Sequence, residues 1–193
     1  MGESVTALKR KWVAERIARC AQALAEERGI DGFTMDDVAE CAGVSRRTLF
    51  NYVPGKLDAI LGAAPDPDPA LFSEFLAGGP TGRLGEDIKA VVGALLDSKD
   101  TAADDVERVR RLIASDPRLH KAMRDRFGKV ATFFAEAILT REGPDADPLR
   151  GRVAATVTLA LFDLALENFV ADPETSLVDH YMRVFGRATA LFD

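Results

Sequence analysis

Cysteine and histidine are scarce in this sequence of 193 residues, which contains two of each. Cys20 and Cys41 fall at apolar positions of two separate predicted helices, and their spacing suggests neither a metal site nor a redox pair. We therefore expect both to be small buried residues, as free cysteines usually are. His120 and His180 are too far apart in sequence to form the close pair of a helical zinc site. A metal enzyme is disfavoured, and we expect no metal and no cofactor.

The sequence also lacks a long apolar run. No window reaches the roughly 18 uninterrupted apolar residues that a membrane span needs, because charges interrupt every helix-like segment. The first residues, MGESVTALKRKW, are basic but precede no apolar stretch, so we expect no secretory signal. These observations predict a cytoplasmic protein with no membrane partner.

Charge is unevenly distributed along the chain. The net charge is −6, yet residues 1–60 contain nine basic and nine acidic side chains, so the whole acidic excess lies in residues 61–193. An acidic body argues against indiscriminate binding of polyanions. Any surface for nucleic acid must therefore be local and near the N-terminus.

The period-two alternation of strands is nearly absent, whereas apolar residues recur every three or four positions throughout. This pattern predicts an all-α fold of about nine to ten helices. Four helices are predicted in the first third of the chain, at about 6–28, 35–42, 45–53 and 54–64. The proline-rich stretch APDPDP then predicts a short stiff connector at about residue 65. Six further helices are predicted at about 69–77, 83–97, 102–115, 117–141, 148–171 and 175–192.

The stretch CAGVSRRTLFNY, residues 41–52, contains the end of one short predicted helix, a turn and most of the next helix. Thr34 precedes the first helix as a cap, and Ser45 precedes the second. Gly43 lies in a turn of three to four residues between them, which is the signature of a helix-turn-helix motif. Two adjacent arginines, Arg46 and Arg47, begin the second helix.

The last two predicted helices are apolar on more than one face. In residues 153–171 the only charged side chains are Asp163 and Glu167. Such a helix needs cover on several sides, and two-fold pairing of this helix pair into a four-helix interface supplies it. Burial of the pair inside its own domain is the alternative. The predicted interface residues are Val157, Leu161, Leu164, Phe169, Tyr181, Phe185 and Ala188.

Residues 32–61, GFTMDDVAECAGVSRRTLFNYVPGKLDAIL, closely resemble the DNA-binding segment of the TetR family of bacterial repressors. The matching positions are Gly32, Thr34, Val38, Ala39, Ala42, Gly43, Val44, Ser45, Thr48, Leu49, Phe50, Lys56 and Leu61. The resemblance implies a homodimeric regulator with a three-helix DNA-binding domain over residues 1–53. It also implies a linking helix over 54–64 and a larger helical domain over 65–193 that holds a small effector and the dimer interface.

The resemblance further implies that the second helix of the motif lies in the major groove of double-stranded DNA. The expected base contacts are Arg46, Arg47, Thr48 and Asn51, with contact to phosphate alone as the alternative for either arginine. Expected phosphate contacts are Thr34, Ser45, Tyr52, Lys56, Lys9 and Lys11, the last two having a solvated terminus as their alternative. Phe50 stands where many members have a tyrosine, so we expect it to pack, as we expect of Trp12.

Six residues of the larger domain are candidates for an effector pocket, with plain core packing as the alternative for each phenylalanine. They are Phe72, Phe75, Arg111, Phe127, Phe134 and Phe162. The segment ERVRRLIASDPRLHKAMRDRF is similar to regulators from high-GC actinobacteria, some of which sense acyl-CoA-like molecules. That similarity implies an apolar, acyl-CoA-like effector.

The predicted function is a ligand-responsive repressor that binds a partly palindromic operator as a dimer. A dimeric helical ligand-binding protein without DNA function is one alternative. An all-α enzyme using Asp163, Glu167 or His120 is another. We expect no enzymatic activity, because the sequence offers no nucleophile beside a base, no phosphate-binding loop and no set of metal ligands.

Overall fold

A computed structural model describes residues 5–63, 68–97 and 102–191 of the chain. Helices make up this part of the protein, and the described residues contain no strand, which confirms the all-α prediction. The helices are α1 (Val5–Arg28), α2 (Met35–Cys41), α3 (Arg46–Tyr52), α4 (Lys56–Leu61), α5 (Pro69–Leu76), α6 (Leu84–Asp97), α7 (Ala103–Ser115), α8 (Pro117–Glu142), α9 (Pro148–Ala171) and α10 (Leu177–Thr189). A 3₁₀ turn at Ile30–Gly32 follows α1. Most of the predicted connector APDPDP lies outside the described residues.

The chain forms two compact units. The first comprises Met1–Ala64 together with Arg108–Arg124, and the second comprises Pro65–Glu107 together with Asp125–Asp193. The division therefore passes through α7 and α8. Residues 108–124 were predicted to belong wholly to the second domain, but Leu112 and Leu119 are buried in the hydrophobic core of the first unit.

The core of the first unit forms where the apolar faces of its short helices meet. Ile17 of α1, Val38 of α2, Leu49 of α3 and Ile60 of α4 are fully buried within it. Gln22 is also buried and donates a hydrogen bond from Nε2 to the carbonyl oxygen of Ile60 at 2.9 Å. This bond links α4 to α1.

Helix α4 is shorter than the sequence predicts. Pro54 was expected in its first turn, but the helix begins at Lys56 and Gly55 is the residue before it, with no side-chain cap. The helix ends at Leu61, because Gly62 has a φ of 71°, a conformation that favours glycine. The predicted linking helix over 54–64 is thus confined to six residues.

The two cysteines form a disulfide, which corrects the prediction of two separate buried thiols. Cys20 in α1 and Cys41 at the end of α2 have their Cα atoms 5.8 Å apart. Cys20 is buried in the core of the first unit, whereas Cys41 is exposed. Their separation of 21 positions matches no short motif, so only the packing of α1 against α2 reveals the pair.

The second unit contains a buried ion pair beneath a loop. Asp87 of α6 is fully buried, and its Oδ2 atom accepts a hydrogen bond from Arg141 of α8 at 2.5 Å. Arg141 also donates to the carbonyl oxygens of Phe75, Gly78 and Gly79 at 2.9 to 3.0 Å. All of these contacts lie within the second unit, so the pair holds the loop between α5 and α6 in place.

Helices α9 and α10 pack together, and this packing corrects three of the predicted interface residues. Phe169, Tyr181 and Phe185 are buried in the core of the second unit, so their side chains are not available to a partner. Val157 and Leu164 are both 46% exposed, and Leu161 and Ala188 are half-buried. The interface prediction can therefore stand only for these last four residues.

The exposed apolar surface of α9 is extensive. This helix is long and apolar enough to cross a membrane, by length and composition only. Of its most apolar window of 18 residues, 22% is buried. Leu149, Val153, Val157 and Leu164 are exposed along it at separations of four and seven residues. Such spacing places them on one stripe of the helix, which is the pattern of a helix that packs against another helix.

Candidate nucleic-acid interface

The turn between α2 and α3 is built from local interactions. Gly43 has a φ of 58°, and the amide nitrogen of Val44 donates to the carbonyl oxygen of Ala39 at 3.0 Å. Ser45 then caps α3, because its hydroxyl oxygen accepts a hydrogen bond from the amide nitrogen of Thr48 at 3.0 Å. The predicted caps at Thr34 and Ser45 and the glycine turn are therefore confirmed.

The burial of one side chain decides which face of α3 is presented. Leu49 is fully buried, whereas Arg46, Arg47, Phe50 and Asn51 are all exposed. These four residues occupy positions i, i+1, i+4 and i+5, so they share one face of the helix. The N-terminal part of that face carries the two guanidinium groups.

The two arginines differ in how they are held. The Nη1 atom of Arg46 lies 2.8 Å from the Oδ2 atom of Asp36 in α2, and its guanidinium lies over the ring of Phe50 at 5.7 Å from the ring centre. Arg47 has no ion pair or hydrogen bond to its side chain among the described residues. The contacts with Asp36 and Phe50 thus orient Arg46, whereas no such contact orients Arg47. Phe50 is 43% exposed and packs against the guanidinium of Arg46 rather than in the core.

Two further residues of the predicted reading set occupy different environments. The hydroxyl groups of Ser45 and Thr48 lie 2.8 Å apart and share a hydrogen bond. Thr48 is half-buried, whereas Asn51 is exposed. Asn51 therefore presents its amide to a ligand directly, and Thr48 presents chiefly its methyl group once its hydroxyl is bonded to Ser45.

Thr34 is already used as a cap, which argues against it as a phosphate contact. Its amide nitrogen and its hydroxyl both donate to Oδ2 of Asp37, at 2.6 and 2.7 Å. Hydrogen bonds from the Thr34 side chain and then its backbone lower the pKa of Asp37. Because Asp36 and Asp37 both lie in the first turn of α2, this helix N-terminus carries two carboxylates where a phosphate was predicted.

Lys56 makes internal contacts that the sequence analysis did not foresee, and its phosphate contact stays a prediction. Its Nζ atom donates to the carbonyl oxygen of Ile30 at 2.8 Å and also to that of Phe33. The ammonium group also lies 4.5 Å from the centre of the Phe33 ring. These contacts occupy two of its three N–H donors and tie the start of α4 to the 3₁₀ turn.

The remaining phosphate candidates lie at two places in the first unit. Tyr52 is half-buried against the core, and Lys9 is exposed on α1, where Lys11 is half-buried. Trp12 was expected to pack, but it is 53% exposed and stacks with the guanidinium of Arg16 at 4.4 Å. No contact of these residues with DNA is tested by the structure, so their roles stay predictions.

A cluster of ion pairs in the first unit was missed by the sequence analysis. Arg118, at the start of α8, donates from two nitrogens to Asp31 at 2.8 and 3.0 Å and also contacts Asp116 at 2.8 Å. Hydrogen bonds from Arg118 lower the pKa of both carboxyl groups, and the two acids in turn raise the pKa of Arg118. Arg118 and Asp31 are 87 positions apart, so no local pattern signals the pair.

The aromatic residues proposed for an effector pocket form a packed cluster in the second unit. Phe75 is fully buried, and its ring centre lies 6.4 Å from that of Phe72 and 6.0 Å from that of Phe134. Phe162 packs against the same core. Arg111 instead belongs to the first unit, where its Nη2 atom is 3.2 Å from Glu26. Arg111 thus belongs to a different unit from the five phenylalanines, all of which belong to the second unit.

Two cavities occur elsewhere in the second unit. The larger, of about 470 Å³, is lined mainly by apolar residues of α6 and α9, together with Asp147 and Arg150. The smaller, of about 310 Å³, lies between α9 and α10 and includes Arg183 and Arg187. Neither is lined by any of the six predicted pocket residues.

A glycine turn between two capped helices, with arginines exposed on the second, defines a helix-turn-helix DNA-binding protein. Comparison with protein families agrees with this class. Residues 17–62 match the family described as bacterial regulatory proteins of the tetR family. Residues 86–192, more than half of the chain, match the family described as the MftR C-terminal domain. The chain belongs to the TetR family of transcriptional regulators.

Several solved structures of TetR regulators align with most of this chain. A TetR-family transcriptional regulator from Rhodococcus sp. is 19% identical, covers 96% of this chain and 100% of its own, and has a TM-score of 0.50. NalD of Pseudomonas aeruginosa, the secondary repressor of the MexAB-OprM multidrug efflux pump, is 16% identical over 92% of this chain and 96% of its own, with a TM-score of 0.49. FadR of Thermus thermophilus, a repressor solved with lauroyl-CoA, is 22% identical over 89% and 90%, with a TM-score of 0.45. No curated protein matches the chain.

Proposed function

We propose that this regulator is a ligand-responsive repressor that binds a partly palindromic DNA operator as a homodimer. The observation that carries the proposal is the exposed N-terminal face of α3, where Arg46, Arg47 and Asn51 stand above the buried Leu49. A helix presented in this way enters the major groove with its N-terminal residues against the base edges. The cap at Ser45 fixes the start of that helix.

The two arginines take different parts in reading DNA. An arginine fork makes two hydrogen bonds to O6 and N7 of guanine. Arg47 is exposed and uses its whole fork for this contact. Arg46 is held through one nitrogen by Asp36, so it approaches a neighbouring base or phosphate in a preset direction. Asn51 suits adenine, because an amide side chain can form two hydrogen bonds with that base.

Dimerisation uses the apolar stripe of α9. Leu149, Val153, Val157 and Leu164 are exposed on it, and Leu191 is 78% exposed just beyond α10. Two-fold packing of α9 and α10 against their copies covers these side chains and gives a four-helix interface. The two recognition helices of such a dimer then need a spacing of about 34–36 Å to enter successive turns of the major groove.

The effector is a small, mostly apolar molecule of the acyl-CoA-like class. The larger cavity of the second unit, at about 470 Å³, falls within the size range of small-molecule sites. Its apolar wall suits the acyl chain of such a ligand. Val153 and Val157 line both this cavity and the stripe of α9, so a ligand there favours one arrangement of the dimer over another, as an effector must.

A repressor of this kind works in the cytoplasm, where its operator DNA is located. The test of the proposal is DNA binding by the full chain in solution. A fluorescein-labelled duplex is first selected from a random library with the wild-type protein, and its affinity is measured by anisotropy. We expect the double substitution Arg46→Ala and Arg47→Ala to abolish binding while the protein stays dimeric. If the wild-type protein selects no duplex but binds acyl-CoA molecules, the alternative of a ligand-binding protein without DNA function replaces the proposal.

A further inference from the structure

The disulfide between Cys20 and Cys41 lies in the DNA-binding unit. These are the only cysteines of the chain, and both belong to the first unit. Cys20 is buried in α1, whereas Cys41 is exposed at the last position of α2. The bond therefore joins a buried cysteine of α1 to an exposed cysteine of α2.

Cys41 directly precedes the turn that leads into the recognition helix. Ala42 follows it as the C-cap of α2, Gly43 makes the turn, and Ser45 caps α3. The amide nitrogen of Gly43 donates to the carbonyl oxygen of Glu40 at 3.0 Å, so the backbone around Cys41 is part of the turn itself. The disulfide fastens this turn to α1, and any change at Cys41 acts within five residues of Arg46.

The proposed cytoplasmic location of the protein bears on the role of the Cys20–Cys41 disulfide. Disulfides are rare in cytosolic proteins, and those that occur there in mesophiles are usually transient and either catalytic or redox-sensing. The chain is a transcriptional regulator with no catalytic use for the pair. A single solvent-facing disulfide beside a DNA-reading element therefore fits a sensor better than a structural crosslink.

We propose that Cys20 and Cys41 form a redox modification site that reacts with low-molecular-weight thiols and hydroperoxides and sets the affinity of the protein for DNA. The inference rests on the proposed DNA-binding function. The bonded form is the tighter binder, because the crosslink limits the motion of α2 and the turn relative to α1. The reduced form has to lose that motion when it binds, which lowers its affinity.

Reduction takes two exchange steps. The thiolate of a small thiol attacks Sγ of the exposed Cys41, which forms a mixed disulfide and releases Cys20 as a thiolate that takes up a proton. A second thiol then attacks the outer sulfur and releases Cys41 as a thiol. Two small thiols have become one small disulfide, and the protein has gained two electrons and two protons.

Oxidation runs through the same exposed cysteine. The Cys41 thiolate attacks a hydroperoxide, whose O–O bond breaks, so that with one proton a sulfenic acid and an alcohol form. The thiol of Cys20 then attacks the sulfenic sulfur, and the disulfide forms with loss of one water. The hydroperoxide is reduced by two electrons, and the two thiols are oxidised by two.

The experiment measures thiols and DNA affinity on the same full-length samples. Wild-type protein is equilibrated in glutathione buffers of increasing reduced fraction, and free thiols are counted by the mass added by a maleimide reagent. Anisotropy with the duplex selected by the wild-type protein then gives the affinity in each buffer. We expect millimolar reduced glutathione to open the bond without denaturant and to weaken binding by about tenfold, through loss of the crosslink and of the preorganisation it supplies. Hydrogen peroxide restores both the bond and the affinity.

Two variants separate this proposal from the proposed function. Cys41→Ala removes the bond at an exposed position, so its affinity stays at the reduced level in every buffer. Arg47→Ala loses DNA affinity, but its disulfide still opens and closes. It therefore shows two free thiols when reduced and none when oxidised. A disulfide that resists native reduction, or equal wild-type affinities in both states, overturns the proposal. If no duplex is bound in any state, the DNA function fails, and the thiol count alone decides whether a redox modification site exists.

Discussion

The substitution Arg47→Ala tests the reading role of α3 directly. Arg47 is exposed on the outer face of the helix, and the described residues hold no ion pair or hydrogen bond to its side chain. Removing it therefore breaks no hydrogen bond or ion pair within the described part of the protein and leaves the buried Leu49 in place. Any loss of DNA binding then reports the contact with DNA rather than a change in folding.

The size of the loss follows from the two-fold symmetry of the proposed dimer. One bidentate contact to guanine is worth about 1–3 kcal/mol, and the dimer makes it twice, for a total of about 2–6 kcal/mol. Since about 1.4 kcal/mol corresponds to a factor of ten in the dissociation constant, affinity for the selected duplex falls by about 30-fold to about 10⁴-fold. The loss is concentrated at one base position of each half-site.

The matched control is Arg150→Ala, which removes the same charge from an arginine of the second unit. The Arg150 side chain is 60% exposed and contacts Glu142 at 3.3 Å. Affinity is measured by anisotropy at several salt concentrations and on duplexes altered at single positions. A phosphate contact instead of base reading gives a uniform loss across sequences and lowers the salt slope by about one per site. An Arg47→Ala protein that binds no more weakly than Arg150→Ala refutes the assignment.

Three further predictions concern the dimer, the buried ion pair and the turn. Leu164→Glu puts a charge on the exposed stripe of α9 and yields a monomer in light scattering. Arg141→Met leaves the Asp87 carboxylate buried without its partner, and urea unfolding at pH 7 shows a loss of about 3–5 kcal/mol. Gly43→Ala forces a side chain into a φ of 58° and costs about 1–2 kcal/mol in urea unfolding.

The dimer and turn predictions each have a control variant, and the ion-pair prediction has a pH dependence that checks it. Thr132→Glu adds the same charge on the exposed side of α8 and leaves the dimer intact. Burial raises the pKa of Asp87, but hydrogen bonds from Thr81 and Arg141 outweigh it and bring the pKa below its ordinary 3.8. Wild-type stability from this pair is therefore present above pH 4 and lost as pH falls through the lowered pKa, a dependence that Arg141→Met weakens. Gly128→Ala, in open space within α8, stabilises by up to about 1 kcal/mol.

The parts of the fold that could be predicted are those set by neighbours in sequence. Asp147 before Pro148 predicts the start of α9, and the structure shows the Asp147 carboxylate accepting from the amide nitrogen of Leu149 at 2.9 Å. The turn at Gly43 and the cap at Ser45 are confirmed for the same reason. Caps, turns and helical periodicity act over at most five residues, so a single sequence contains all of the information they need.

The misses are contacts between residues far apart in sequence. Cys20 and Cys41 lie 21 positions apart, and Arg118 and Asp31 lie 87 apart. Their residue types are ordinary in each local stretch, and only the packing of one helix on another brings them together. The sequence also could not separate buried from exposed apolar positions on α10, because Tyr181 and Phe185 satisfy both a core and an interface pattern.

Lys56 shows how a family motif and the fold can assign one residue two different roles. Its ammonium group donates to the carbonyl oxygens of Ile30 and Phe33, and hydrogen bonds to a charged group are each worth about 1.5–3 kcal/mol. We expect Lys56→Met to lower the stability in urea unfolding by an amount of this order and to leave the salt dependence of DNA binding unchanged. Lys9→Met, at an exposed position of α1, is the control for loss of charge alone. A salt slope lowered by about 0.9 per site in Lys56→Met, with unchanged stability, would instead restore the phosphate contact that the family motif implies.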